Sequence, residues 1–288
     1  MTTAKSQSFT DHWDLVISPK SSIFDLQLRE VWRYRDLLLM LVKRDFVATY
    51  KQTILGPIWF FIQPLLTTIT FIVIFGNIAK ISTDGLPMML FYLCGITLWN
   101  YFSECLNKTA TVFKDNATIF GKVYFPRLVM PLSIVVSNLV RLGIQLVLFL
   151  GVWLWYLIRD SHVHPNIYIL LSPLLIVLLA VIALGAGMII SALTTKYRDL
   201  VFLLTFGLQL LMYATPVIYP MSALPKKYAW LIKTNPLSGI IETFRYSFTG
   251  SGQFRWAYLA YSSICAIALL LIGAIIFNKV EKSFMDTV

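Results

Sequence analysis

Six long apolar stretches are spaced along the chain, at 58–79, 88–106, 128–158, 167–193, 200–219 and 256–277. A helix rises ~1.5 Å per residue and the hydrocarbon layer is ~30 Å thick, so about 20 apolar residues cross it once. Each stretch is therefore predicted to be one crossing, and Pro57 supplies a first-turn proline to the first. The third is longer than a crossing needs and is expected to tilt or protrude. Splitting it at Arg141 leaves pieces of 13 and 17 residues, both short, so one helix is the better reading. A further apolar stretch, 237–248, has twelve residues and reaches only ~18 Å. It follows Asn235-Pro236, and Glu242 and Arg245 sit three apart within it, where they can share a face and neutralise each other. With Pro216, Pro220 and Pro225 upstream, it reads as a re-entrant helical pair.

Residues 29–46 follow a different period. At ~100° per residue, Arg29, Arg33, Asp36, Lys43 and Arg44 fall on one arc. Val31, Tyr34, Leu38, Leu41, Val42 and Phe46 fall opposite, and Arg35 and Asp45 break the pattern. An amphipathic helix of this kind lies in the cytoplasmic interface, as an anchor or as a guide for substrate. The fold predicted is thus all-α: an N-terminal amphipathic segment within 1–57, a six-helix transmembrane domain over 58–277, and a tail of 278–288.

Composition agrees with a membrane chain. Of 288 residues 58% are hydrophobic and 13% charged, about half the charge density of soluble domains at ~25%. The net charge of +10 is unevenly placed. Eight basic residues precede the first crossing: Lys5, Lys20, Arg29, Arg33, Arg35, Lys43, Arg44 and Lys51. The loop after the second crossing adds Lys108, Lys114, Lys122 and Arg127, the loop after the fourth Lys196 and Arg198, and the tail Lys279 and Lys282. The opposite loops hold seven. Positive charge marks the cytoplasmic side, so both termini are predicted there. This bias and anionic lipid account for the charge, and no nucleic-acid partner is called for. The first 57 residues are polar or amphipathic, so no cleaved leader is expected.

Polar residues recur at helical spacing inside three crossings. Ser133, Ser137, Arg141 and Gln145 are four apart in the third. Trp59, Gln63, Thr67 and Thr70 share a row in the first, and Thr205, Gln209 and Tyr213 in the fifth. Such faces turn away from lipid, either to hydrogen-bond between helices or to wall a polar path. Three of them in one small bundle, one carrying Arg141, favour a path; Glu104 is available to pair with that arginine. In the fourth crossing Ala183, Gly187 and Ser191, with Gly185 beside them, read as a close helix contact.

Catalytic and ligand motifs are missing. Gly121-Lys122 lacks the first glycine and the hydroxyl of a phosphate-binding loop, because Asn116 and Val123 stand there. His162 and His164 have no carboxylate or cysteine neighbours, which argues against a metal. Cys94, Cys105 and Cys265 form no CxxC pair and read as small packing residues. No catalytic constellation lies in the membrane, so neither an enzymatic role nor a cofactor is expected of this chain.

Several segments, taken in order, resemble the membrane subunit of ABC-type polysaccharide exporters, which export O-antigen, capsule or teichoic acid chains. They are Lys43-Arg44-Asp45, Tyr50 through Trp59, and Gln63-Pro64-Leu65, then Gly95 and Trp99, Lys122 through Arg127, and Pro131-Leu132. Tyr197-Arg198-Asp199-Leu200, Pro216 through Pro220, and Asn235-Pro236-Leu237 with Arg245 complete the set, over about residues 13 to 280. Arg141 and Gln145 lie outside the family pattern. The resemblance implies a homodimer with two copies of a separate ABC ATPase, which holds the ATP and magnesium. It implies an undecaprenyl-diphosphate-linked glycan as substrate. It maps an ATPase-coupling helix to about 113–122, with Phe113, Lys114, Asp115, Asn116 and Lys122, and an external gate to the re-entrant pair, with Asn235, Pro236, Glu242 and Arg245. The anionic head of the lipid would dwell on Arg33, Lys43, Arg44 and Lys51. Alternatives are an ABC permease for drugs or other lipids and an ion-driven secondary transporter. A membrane-embedded glycan ligase or polymerase ranks last, because the loops after the first and third crossings are only about eight residues long.

Overall fold

The computed structural model describes residues 28–284 except 52, 121, 123, 124, 160–162, 224, 226 and 228. Lys5, Lys20 and His162 lie outside the described residues. Among the described residues the chain is helical throughout, with no strand.

The amphipathic segment forms α1 (Leu28–Arg33) and α2 (Arg35–Tyr50), where one helix over 29–46 was expected. The backbone turns at Tyr34, yet Tyr34 N–H still donates to the Glu30 carbonyl at 3.0 Å and Leu38 N–H to that of Tyr34 at 3.0 Å. The break is a kink, not a loop. Val31 and Leu41 are buried, with Tyr34, Leu37 and Leu38 packed beside them. Asp45, which spoils the apolar arc, is bonded by Arg44 at 2.8 Å. Trp32, Leu39 and Met40 stay exposed among the basic residues, a mixture suited to an interface.

The first crossing opens with a tight turn at Gly56–Ile58, continues as α3 (Trp59–Phe71) and ends in a wider π-helical stretch, Ile72–Ile78. Then follow α4 (Met88–Ala110), two short helices α5 (Val112–Asp115) and α6 (Ala117–Phe120), and α7 (Val129–Arg159), unbroken through Arg141. The remainder is α8 (Ser172–Lys196), α9 (Leu200–Tyr213), α10 (Ala229–Lys233), α11 (Pro236–Thr249) and α12 (Trp256–Phe284).

Among the described residues four segments are long and apolar enough to cross a membrane: Gly56–Ile78, Val129–Arg159, Ile167–Lys196 and Trp256–Val280. The helix α4 has 23 residues, but Asn100, Glu104 and Lys108 dilute its apolar content. The fifth predicted crossing is corrected: α9 stops at Tyr213 and not at 219, leaving 14 helical residues, about 21 Å. Pro216 has no N–H to donate and disfavours a helical residue at Thr215, so the helix cannot run on through an otherwise apolar stretch. At the other end, α12 continues past 277 to Phe284, so the predicted boundary between last crossing and tail is no break in the helix.

Packing centres on α4 and α8. The small-residue face of α8 is a close contact, as its spacing predicts. A Cβ on Gly185 would come within 2.5 Å of the Leu269 backbone of α12, and one on Gly187 within 2.6 Å of Thr109 on α4. Without a hydrophobic effect between helices in lipid, such approach is what lets dispersion hold them together. Cys94 and Cys105 are buried in the same core and Cys265 is half-buried; all three are free thiols.

Candidate functional site

Two polar rows meet inside the bundle. On α7, Ser133, Ser137 and Gln145 are buried, and Arg141 lies beside them. On α4, Asn100, Glu104 and Lys108 repeat the same four-residue spacing. Arg141 Nη1 donates to Glu104 Oε1 at 2.7 Å, and Lys108 Nζ approaches the same oxygen at 3.0 Å. The guanidinium also lies 5.3 Å from the Phe60 ring of α3. An intramembrane arginine thus has a carboxylate and an aromatic face as neighbours, which makes its burial tolerable.

These groups enclose a cavity of about 270 Å³. Trp59 and Gln63 line it from α3, Asn100 and Glu104 from α4, Arg141 and Gln145 from α7. Four of the ten residues assigned to a polar path therefore converge here. Ser137 is buried beside the cavity and does not line it. Thr67 and Thr70 return their hydroxyls to the carbonyls of Gln63 and Leu66, both at 2.9 Å, and do not reach it. The row on α9 is apart as well: Thr205 donates to the Val201 carbonyl at 3.0 Å, and Gln209 and Tyr213 are exposed. Within one chain the three polar faces do not form a single wall. Asn100 and Asn138, which add amides to the lining, were not singled out from sequence. The row 100, 104, 108 on α4 was the available signal.

A second, more open cavity of about 310 Å³ lies next to the first, with Lys108 on its wall. It joins Arg44 of the lipid-head set to Asp115 and Asn116 of the coupling set, with Asp45 and Ser133 between them. Arg33, Lys43 and Lys51 are exposed and do not line it. In the coupling segment Lys114, Asp115 and Lys122 are exposed, whereas Phe113 is not. Its ring stacks on Phe277 of α12 at 4.6 Å and meets Phe120 at 5.8 Å, so Phe113 fastens the loop to the bundle. Asn116 donates to the Val112 carbonyl at 3.0 Å and closes α5.

The segment after α9 is held by α11. Asn235 accepts from Leu237 N–H at 3.0 Å as the N-cap of α11 and donates to the Ala214 carbonyl at 3.1 Å and to Thr215 Oγ1 at 2.8 Å. Pro236 occupies the first helical position, where its missing N–H costs nothing. Glu242 and Arg245 pair at 3.2 Å with both side chains fully buried. Glu242 Oε1 accepts from Met221 N–H at 2.9 Å, Arg245 Nη2 donates to the Pro216 carbonyl at 2.6 Å, and the guanidinium lies 3.9 Å from the Phe91 ring. Each charge thereby also satisfies a backbone group in the irregular segment that follows α9. Gly95 allows the approach, since a Cβ there would stand 3.1 Å from Val217 Cα.

The far end of α11 is closed in the same manner. Trp153 donates to the Phe248 carbonyl at 2.7 Å and Asn166 to that of Tyr246 at 3.0 Å, while Gly250 takes the left-handed conformation that ends the helix. Among the described residues no group of histidine, cysteine and carboxylate side chains could hold a metal ion.

Residues 36–249, which include both cavities and α11, match the family model described as ABC-2 type transporter. The chain belongs to that family. It is 28% identical over 251 residues to an O-antigen export system permease protein RfbA of Klebsiella pneumoniae, covering 87% of this chain and 94% of the relative. It is 26% identical over 263 residues to the protein of that name in Myxococcus xanthus, covering 91% and 98%. Identity to the polysialic acid transport protein KpsM of Escherichia coli is 21% over 249 residues, covering 85% and 93%. ABC-2 proteins of this kind are transporter membrane subunits and not catalytic chains, and the apolar helices agree with a multi-pass protein of the inner membrane.

Proposed function

We propose that this ABC-2 chain is the permease subunit of an exporter that carries an undecaprenyl-diphosphate-linked polysaccharide, O-antigen in the first place, across the inner membrane. The observation that carries it is the polar cavity around Arg141 and Glu104, set in a bundle that aligns almost end to end with O-antigen permeases. The likeness to the inner membrane transport permease YadH of Escherichia coli covers less, 71% of this chain and 78% of the relative. A permease for drugs or other lipids is the second reading.

In this reading six segments cross the membrane and both termini are cytoplasmic. The helix α9 completes its crossing through the irregular 214–219, and α10 with α11 dips in from outside and returns. Two copies face each other through α3 and α9, whose exposed polar residues Thr205, Gln209 and Tyr213 then gain an enclosed surface. Two ABC ATPase subunits, holding ATP and magnesium, dock on the loop carrying Lys114, Asp115, Asn116 and Lys122. The diphosphate head waits on Arg33, Lys43, Arg44 and Lys51, and α11 with Asn235, Pro236, Glu242 and Arg245 acts as the outer gate. Closure of the ATPases moves the loop and rocks the two halves.

The test is deletion of the gene with complementation in its own host. Surface polymer should vanish while lipid-linked polymer accumulates inside, and both should return with the wild-type chain but not when the partner ATPase carries an inactive phosphate-binding loop. Unchanged surface polymer after deletion would refute the reading, and drug sensitivity in its place would select the second one.

A further inference from the structure

The cavity between α3, α4 and α7 has features that neither helix packing nor the charge pair uses. Gln145 is nine-tenths buried, lines the cavity, and makes no hydrogen bond to any described residue. Its amide therefore keeps both donors and acceptor for whatever occupies the cavity. Both cations approach Glu104 through Oε1, and no described residue donates to its Oε2. Asn100 and Gln63 add two further amides at the wall with no side-chain partner among the described residues. Trp59, 46% exposed, supplies an indole beside them.

The chemistry of this set is selective. Amides both donate and accept, and a carboxylate oxygen only accepts, so the lining suits a ligand rich in hydroxyls that can do both. An indole face suits the C–H side of a ring. A phosphate brings acceptors only and would meet the lone pairs of Glu104 Oε2. At about 270 Å³ the cavity falls just below small-molecule sites, which run from ~300 Å³, so it takes one ring and not a chain.

We infer that this cavity is a saccharide subsite that binds a single pyranose residue of the exported glycan. Gln145, Asn100 and Glu104 Oε2 bind its hydroxyls and Trp59 takes its apolar face. It is lined by residues of one protomer, so a dimer holds two such sites. The inference rests on the polysaccharide-export reading, but its test does not depend on export.

The full-length permease in lipid nanodiscs is presented with D-glucose, D-galactose, D-mannose, L-rhamnose and N-acetylglucosamine in turn, with saturation transfer from protein to sugar protons read by NMR. At least one sugar should receive transfer. Q145L, which keeps the volume and removes the amide, should weaken it about five- to tenfold, the loss expected for one or two hydrogen bonds. W59L should abolish transfer to the C–H face. E104Q serves if Q145L fails to fold, and S263A on α12 is the unaffected control. No transfer from any sugar overturns the subsite, as does transfer that Q145L, E104Q and W59L leave unchanged. Competition by inorganic pyrophosphate that Q145L relieves also overturns it, because the site is then anionic. Failure of the wider reading shows separately, as unchanged surface polymer in the deletion strain.

Discussion

Arg245 donates through Nη2 to the Pro216 carbonyl at 2.6 Å, so a guanidinium on α11 closes the backbone where α9 ends. Its charge is met by Glu242 one turn earlier, at 3.2 Å. Removing one member of a buried pair costs ~3–5 kcal/mol, since the other keeps a charge that has lost its partner. Glu242→Ala is therefore expected to lower the melting temperature in detergent and the yield of monodisperse protein. Glu242→Gln, which still accepts from Met221 N–H, should lose clearly less. Fluorescence-detected size exclusion after a heating series measures both. An Ala variant that melts and exports like the parent shows that the two residues are not partners.

Arg141→Ala should act differently. Glu104 keeps Lys108 at 3.0 Å after the arginine is gone, so no buried carboxylate is stranded and insertion should persist. What is lost is a charge-assisted hydrogen bond at the cavity wall, on the order of 1.5–3 kcal/mol. Export should fall about tenfold or more at equal membrane yield. The check is surface polymer normalised to permease in the membrane fraction, and equal export at equal yield would remove Arg141 from the path.

The apolar stretches were legible because length and hydropathy mark helices: each predicted crossing corresponds to a helical segment, and four of those described are long and apolar enough to cross a membrane. The errors arise where a local rule competes with that signal. Pro216 ends α9 within a stretch still apolar enough to be read as helix. Polar spacing was legible too, but spacing shows that a helix has a polar face and not which helix it meets. Arg141 and Glu104 are 37 residues apart, and only the rotation of α4 against α7 pairs them. The α9 row has the same periodicity and stays exposed in the single chain. Phe113 entered the coupling set because the resemblance maps a coupling helix to 113–122; in the four-residue α5 one side faces the bundle, and the aromatic ring takes it.

The α8–α12 contact gives a contrast between two glycines. Gly185→Val puts a branched side chain where Leu269 backbone already stands 2.5 Å from a Cβ, so the helices must part. A loss of several kcal/mol, seen as aggregation or degradation, is expected. Gly143 on α7 has open space around a Cβ, and Gly143→Ala should be neutral or stabilise the helix by up to ~1 kcal/mol. Parallel melting curves decide it, and a tolerated Gly185→Val would mean that the contact can open.

The coupling loop separates docking from folding. Asp115 is exposed and accepts the Thr111 hydroxyl at 2.6 Å, so Asp115→Lys changes the charge offered to a partner with little effect on the bundle. Phe113→Ala removes a buried ring that stacks on Phe277 at 4.6 Å, and such truncations cost ~3–5 kcal/mol. Asp115→Lys should reduce ATPase recovered in a pull-down while the permease melts normally. Phe113→Ala should lower the melting temperature and yield, while the fraction that folds recovers ATPase in the parent ratio. Undiminished recovery with Asp115→Lys would move the ATPase contact elsewhere. A selective loss of ATPase with a stable Phe113→Ala would return that ring to the docking surface.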